Sequence, residues 1–287
     1  MSEAVGVAVL SFQSRVVWGH VGNSVAEFAL RRMGIEAWPL DTVCLSHHPG
    51  HGPARGRVRP ADELSELVAG ITDRGVLRQC RAVLSGYLGT AENGRVALRT
   101  AQALKALRPD ALFCCDPVMG DRDTGLYVSA ELVGFYRDEA LAVADLLTPN
   151  HFELEMLAAT PLPTLESVLH VADRLRTAGP STLLVSSLAV GESPEIIHTL
   201  LAEEDCAWLA TTPRLGGSAH GAGDLLAAQF LARRLRGEAP AGCLTGAVAA
   251  TFAVLQGTGS AAELRLVATQ DAMVRANPRA VSLRRLR

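Results

Sequence analysis

Lysine is almost missing from this chain of 287 residues: of its 27 basic residues only Lys105 is a lysine, and the rest are arginine. A P-loop nucleotide site needs a lysine inside its glycine-rich loop. Schiff-base chemistry on a carbonyl cofactor needs a lysine amine. Lys105 lies in TAQALKALRPD, which reads as a solvent-facing helical turn, so neither chemistry is expected. A basic excess is also missing. The 27 basic residues face 30 acidic ones, a net charge of −3, so nothing draws the chain to nucleic acid or to an anionic membrane. The longest apolar stretch, near residues 247–255, is interrupted by Thr251. It falls short of the roughly 20 residues that span a bilayer. The six cysteines show no CxxC spacing and four lie inside apolar runs. Zinc ligation or a disulfide framework would want paired, loop-borne cysteines, so buried free thiols are expected. Residues 1–11 carry Glu3 and no basic n-region, which argues against a secretory signal and leaves a cytoplasmic location as the expectation.

What the chain does contain is a sizeable core. Hydrophobic residues make up 48% and charged residues 20%, enough apolar surface to offset the entropy of ordering. Short β-branched runs alternate with helical patterns throughout. Strands are predicted at 5–10, 37–44, 81–86, 111–115, 145–148 and 182–187. Helices are predicted at 23–34, after Pro60, at 91–107, near 129–140, at 150–159 and at 166–178. Glycine and proline in SHHPGHGPARGR (46–57) exclude regular structure there, and 116–125 reads as a loop. IIHTLL and CAWLAT suggest an antiparallel pair at one edge, and the chain beyond Gly221 is helix-rich. The alternation predicts an α/β fold, a mostly parallel sheet with helices on both faces. No repeat or linker divides it, so one domain over 1–287 is expected.

In such sheets ligands bind beyond the carboxyl ends of the strands. Those ends are SFQSR, LSHHPGHG, SGYLG, DPVMGD, TPNHFE, Ser186–Ser187 and the glycine cluster from Gly216 to Gly223. The cluster GGSAHGAGDLLAAQFLARRL (216–235) is the strongest local signal. Gly221, Ala222 and Gly223 let a ligand approach the backbone where a helix begins, and the first amides of a helix form an anion site. Asp224 follows in the first turn. An acid there is also simply favourable to the helix dipole. Beside free amides, however, a carboxylate suits phosphoryl transfer: the amides meet the developing charge and the carboxylate takes a hydroxyl proton. Asn150 and Glu153 stand at capping-box spacing.

These segments resemble the ribokinase-like small-molecule kinases, which carry a late GxGD motif and no P-loop. Within that superfamily the match is to the pyridoxal kinases. It is carried by QSRVVWGHVGN (13–23), VLSGYLG (83–89), CDPVMGD (115–121), TPNHFELE (148–155), GAGD (221–224) and ELRLVATQD (263–271), in the family's order and covering essentially the whole chain. The resemblance implies ATP-dependent phosphorylation of the 5′-hydroxyl of pyridoxal. Asp224 would be the base and Gly221, Ala222 and Gly223 the anion hole, where Ala222 lacks the hydroxyl the family often has. Asp116, Thr148, Asn150, Glu153, Ser186 and Ser187 would face the nucleotide phosphates. Glu153 would organise Mg²⁺ through water, and Asp121, Thr148 and Ser186 would hold K⁺ or Na⁺. Ser186–Ser187 stands where some members have lysine and others Thr-Ser. Ser14, Val21, His48, Pro49, Gly50 and Tyr87 would contact the vitamin, Pro49 replacing a threonine whose role His51 could take over. A homodimer is likewise implied. Residues 46–57 have the length of a lid. The alternatives are a hydroxymethylpyrimidine kinase and a vitamin B6 binding protein with weak catalysis.

Overall fold

The computed structural model describes residues 7–287 apart from Glu192 and Ser218. Val5 and Gly6 of the predicted first strand, and Ser218 of the glycine cluster, lie outside the described residues. The strands are β1 (Ala8–Val16), β2 (Glu36–Leu45), β3 (Gly56–Val58), β4 (Cys80–Ser85), β5 (Leu112–Cys115), β6 (Gly120–Asp121), β7 (Gly125–Leu126), β8 (Leu146–Leu147), β9 (Thr182–Leu188), β10 (Ile196–Ala202), β11 (Ala207–Pro213) and β12 (Ser282–Arg285). The helices are α1 (Asn23–Arg32), α2 (Ala61–Asp73), α3 (Ala91–Leu107), α4 (Ala130–Phe135), α5 (His151–Ala158), α6 (Leu165–Ala178), α7 (Ala222–Leu235), α8 (Pro240–Thr258) and α9 (Gln270–Val274).

Among the described residues ten strands form one sheet in the order β12-β11-β10-β9-β8-β5-β4-β1-β2-β3. The six from β9 to β2 run parallel. The expected antiparallel pair, β10 with β11, lies towards one edge and β12 adds a further antiparallel strand beyond it. Side chains alternate across the pleat, so each face has its own core. Leu183, Val185 and Leu200 pack on the side that carries Val96, Leu154 and Val168, from α3, α5 and α6. Leu184 and Leu201 pack on the side that carries Val25, Leu225 and Val248, from α1, α7 and α8. The parallel arrangement gathers the carboxyl ends of β1, β4, β5, β8 and β9 along one rim.

Four expectations need correcting. Residues 46–57 are partly regular: Pro49–His51 is a 3₁₀ turn and Gly56–Val58 pairs antiparallel with β2. The residues that exclude ordinary helix and strand build this flap instead. Pro49 opens the turn, the His48 ring accepts from the Gly50 amide, and a Cβ at Gly56 would lie 2.0 Å from the Cys44 carbonyl oxygen. Residues 116–125 likewise include the β6–β7 hairpin, closed where Asp121 Oδ1 accepts from the amides of Asp123 and Thr124. Lys105 is not a free surface lysine; its ammonium lies 2.7 Å from Asp145 and donates to the Val143 carbonyl, fixing the end of α3 beside β8. The apolar run 247–255 belongs to a 19-residue helix, α8, long and apolar enough to cross a membrane but largely buried in this fold. The cysteines are all free, as expected, though Cys44 and Cys206 are only partly buried.

Candidate active site

The start of α7 is built around two glycines whose backbone conformation and close contacts disfavour any side chain. Gly221 has a φ of +91°, and a Cβ there would fall 2.3 Å from the His20 carbonyl oxygen. Gly22, across the cleft mouth, has a φ of +54°, and its Cβ would lie 2.1 Å from the Ser14 carbonyl oxygen. The Gly22 amide donates to Asp224 Oδ2 at 2.8 Å, its hydrogen-bond partner among the described residues. Among the described residues no side chain caps α7, which leaves its first-turn amides for a ligand. Nothing lies within 4 Å of where a Gly223 Cβ would sit. Ala222 and Gly223 border a cleft of about 350 Å³ together with Asn150, Ser186, Ser187 and an apolar wall that includes Val248 and Leu255. Enclosure by protein pushes the Asp224 carboxyl up to about 6, against the pull of the Gly22 N–H.

The start of α5 is different in kind. Asn150 Oδ1 accepts from the Glu153 amide at 2.9 Å and Glu153 Oε2 accepts from the Asn150 amide at 2.8 Å, a complete capping box. Glu153 Oε1 takes the Met119 amide at 2.9 Å, and Asn150 Nδ2 donates to the Gly120 carbonyl. Glu153 is only 3% exposed. Burial raises its carboxyl to about 8 despite those amides. Asp116, 6% exposed, is driven well above the usual carboxylate range by burial first, then by the charges of Glu153 and Asp224. The strand ends therefore bring Asp116, Glu153 and Asp224 into one electrostatic group, from β5, α5 and α7.

That group fits a hard cation held partly by water. Buried carboxylates raise one another when no positive charge lies between them, and the Thr148 hydroxyl, buried beside the Asp116 carboxyl, makes no hydrogen bond of ordinary geometry among the described residues. Among the described residues no three His, Cys, Asp or Glu side chains converge tightly enough to hold a metal unaided. Asp121 spends one oxygen on the hairpin turn. Ser186 donates its amide to the Pro149 carbonyl, and Ser187 adopts a φ of +51°, rare for a residue with a side chain. Both line the cleft.

On the other side of Asp224, Ser14 and Val21 are buried next to Gly22. Tyr87 is half-buried and tilted against Tyr127, ring centroids 6.4 Å apart. The phenol of Tyr127, whose residue is 48% exposed, is raised by partial burial and by the charges of Glu153, Asp121, Asp224 and Asp116. His48 stacks on His220 at 3.8 Å, whereas Pro49 and Gly50 are exposed at the flap tip. Several residues of the site carried no role in the sequence: Gly22, Tyr127, His220 and Glu263. The first, third and fourth lie inside quoted motifs, so a signal existed. Their partners, some two hundred residues away, did not show.

Comparison with known proteins places this geometry. The family described as phosphomethylpyrimidine kinase matches residues 72–261. The chain is 44% identical over 278 residues to a pyridoxal kinase of Rubrobacter xylanophilus, covering 96% of both. It is 43% identical to one of Leifsonia xyli, covering 94% of this chain and 96% of the other. Among solved structures it is similar to the pyridoxal kinase of Leishmania donovani in complex with ADP and pyridoxamine, with a TM-score of 0.90 at 28% identity, covering 98% of this chain and 99% of that one.

Proposed function

From the premise that the chain belongs to the pyridoxal kinases, within the family described as phosphomethylpyrimidine kinase, we propose that it transfers the γ-phosphoryl group of ATP to the 5′-hydroxymethyl group of pyridoxal and related vitamers. One observation carries the reading: Asp224, raised to about 6, shares the first turn of α7 with Ala222 and Gly223, which border the cleft. At neutral pH such a carboxylate is ionised yet basic enough to take a hydroxyl proton. The alcohol oxygen then forms its bond to the γ-phosphorus as the bond to the β-phosphate bridging oxygen breaks, releasing ADP. The amides of Ala222 and Gly223 would meet the charge that gathers on the transferring group.

The cleft lined by Asn150, Ser186 and Ser187 suits the nucleotide; Ser14, Val21 and the half-buried Tyr87 would face the pyridine ring, an aromatic against a heterocycle. Mg²⁺ would be held by Asp116 and Thr148, with Glu153 acting through water, and would neutralise the phosphates when bound. The hard oxygens of Asp121, Thr148 and Ser186 would suit K⁺ or Na⁺. No lysine stands at 186, so the cations and the amides would carry that neutralisation.

An ADP-release assay across pyridoxal, pyridoxine, pyridoxamine and hydroxymethylpyrimidine tests the reading. The expected result is turnover with B6 vitamers. Turnover with hydroxymethylpyrimidine alone would favour the kinase alternative, which the matched family's description supports. Vitamer binding without ADP release would leave a binding protein.

A further inference from the structure

Glu263 does not line the cleft at α7, yet it joins three segments of the site. Its Oε2 accepts from the His20 amide at 2.8 Å. Its Oε1 accepts from the His51 ring, on the flap between β2 and β3. Its backbone bridges to His220, the residue before Gly221. The fit is tight, because a Cβ at Gly19 would lie 2.3 Å from the Glu263 carboxylate. The loop it grips, residues 19–22, ends on the amide that holds Asp224, and the His20 carbonyl packs on Gly221. The flap makes a second contact with the same place. His48 stacks on His220, and burial together with the neighbouring His220 lowers His48 to about 4, so the His48 ring is uncharged at neutral pH. Trp18 closes the outer side, edge-on to His51 at 5.1 Å.

We propose that His51 and Glu263 are positioning residues of the transfer reaction, a clamp by which the seated flap fixes the Gly22 amide against Asp224. The clamp acts on the base through the residue 19–22 loop. Loss of the His51 bond leaves one Glu263 oxygen unmatched and frees the flap. The loop then loses its backing, and Asp224 loses its defined direction. The cost falls on kcat, because misplacing a catalytic group by about 1 Å is worth roughly 10²-fold. The inference rests on the kinase reading and deepens it.

The test compares wild type, His51→Phe and His51→Gln by steady-state kinetics with ATP and pyridoxal. It adds the rate of tryptic cleavage at the exposed Arg55 and Arg57 of the flap, which needs no activity. Glutamine keeps an N–H donor at nearly the reach of histidine Nε2; phenylalanine keeps the bulk and loses the donor. The expected result is a kcat reduced roughly 10- to 100-fold in His51→Phe. The KM for ATP should be unchanged, cleavage faster, and both effects largely reversed in His51→Gln. Wild-type kcat in His51→Phe, or a loss that glutamine does not reverse while cleavage stays slow, overturns the clamp. Wild-type protein inactive on every vitamer overturns the kinase reading instead, so the two failures are separable. If His51→Phe does not fold, His51→Gln against Glu263→Ala gives the same comparison.

Discussion

Seven helices among the described residues carry an acid in the first turn, and two of those acids, Glu153 of α5 and Asp224 of α7, are used in opposite ways. At α5 the carboxylate of Glu153 is consumed by the protein itself, accepting from the Asn150 and Met119 amides. At α7 no side chain among the described residues caps the helix amides, and Asp224 accepts from one external amide, that of Gly22. The sequence signature, a small polar or glycine residue followed by an acid, is nearly the same in both. What separates them is the company each keeps: a hairpin folded over α5, an open cleft before α7. A first-turn acid becomes a reagent only where the fold leaves the helix end unfinished.

The largest expected effect is on Asp224. Asp224→Ala should lower kcat by at least about 10²–10⁴-fold, the range of general-base contributions. Its thermal stability should be unchanged or slightly raised, because a carboxyl whose folded-state value is raised to about 6 is destabilising when ionised at pH 7. A large loss of stability would move Asp224 into the class of Glu153.

Measured near pH 5, where its raised carboxyl keeps its proton, Glu153→Ala should do the reverse, with stability falling by about 1–3 kcal/mol as buried amides lose their acceptor. Chemical denaturation measures it. Burial raises Glu153 to about 8 from an ordinary value of 4.5, so the folded protein binds more protons in that interval. Its contribution to stability is therefore present at low pH and lost as pH rises through about 8. Melting temperature should fall from pH 5 to 8 in wild type and less so in Glu153→Gln, although Asp116, raised in the same direction, adds to the slope. An unchanged slope would show that Glu153 is not the group responsible.

Glycine substitutions sharpen the contrast within α7. Gly221→Ala meets both a left-handed backbone and the His20 carbonyl, so stability should drop by about 1–3 kcal/mol. Gly223→Ala meets open space and a helical backbone, so stability should hold or rise by about 0.4–1 kcal/mol. Its methyl would nonetheless stand in the anion hole, and turnover should fall. Full activity in Gly223→Ala would remove that amide from the site. The smallest effect is expected from Ala222→Ser, which restores a hydroxyl donor to the same turn. One added hydrogen bond, worth about 0.5–1.5 kcal/mol, should lower the KM for ATP a few-fold.

Much of this contrast was legible in the sequence because it is local. The capping box sits within Asn150–Glu153, the uncapped glycine turn within Gly221–Asp224, and the strand ends that gather them follow from the βαβ alternation. The parallel sheet and its antiparallel edge were legible for the same reason. What escaped was decided by distant partners. Gly22 meets Asp224, and His51 meets Glu263, only because parallel crossovers return the chain to one rim. The flap was misread because glycine and proline mark the end of regular structure from within the segment. Pairing of Gly56–Val58 with β2 is set by the partner strand's free edge. The β6–β7 hairpin escaped similarly: two-residue strands carry no periodicity.

The most direct test of Asp224 as the base is the pH dependence of kcat/KM for pyridoxal, in wild type and in Asp224→Asn. The account predicts a wild-type rate that rises with pH through about 6, where the enclosed carboxyl loses its proton. The residual rate of Asp224→Asn should show no such limb. An acid limb near 6 that survives in Asp224→Asn would contradict it, because some other group would then be taking the proton.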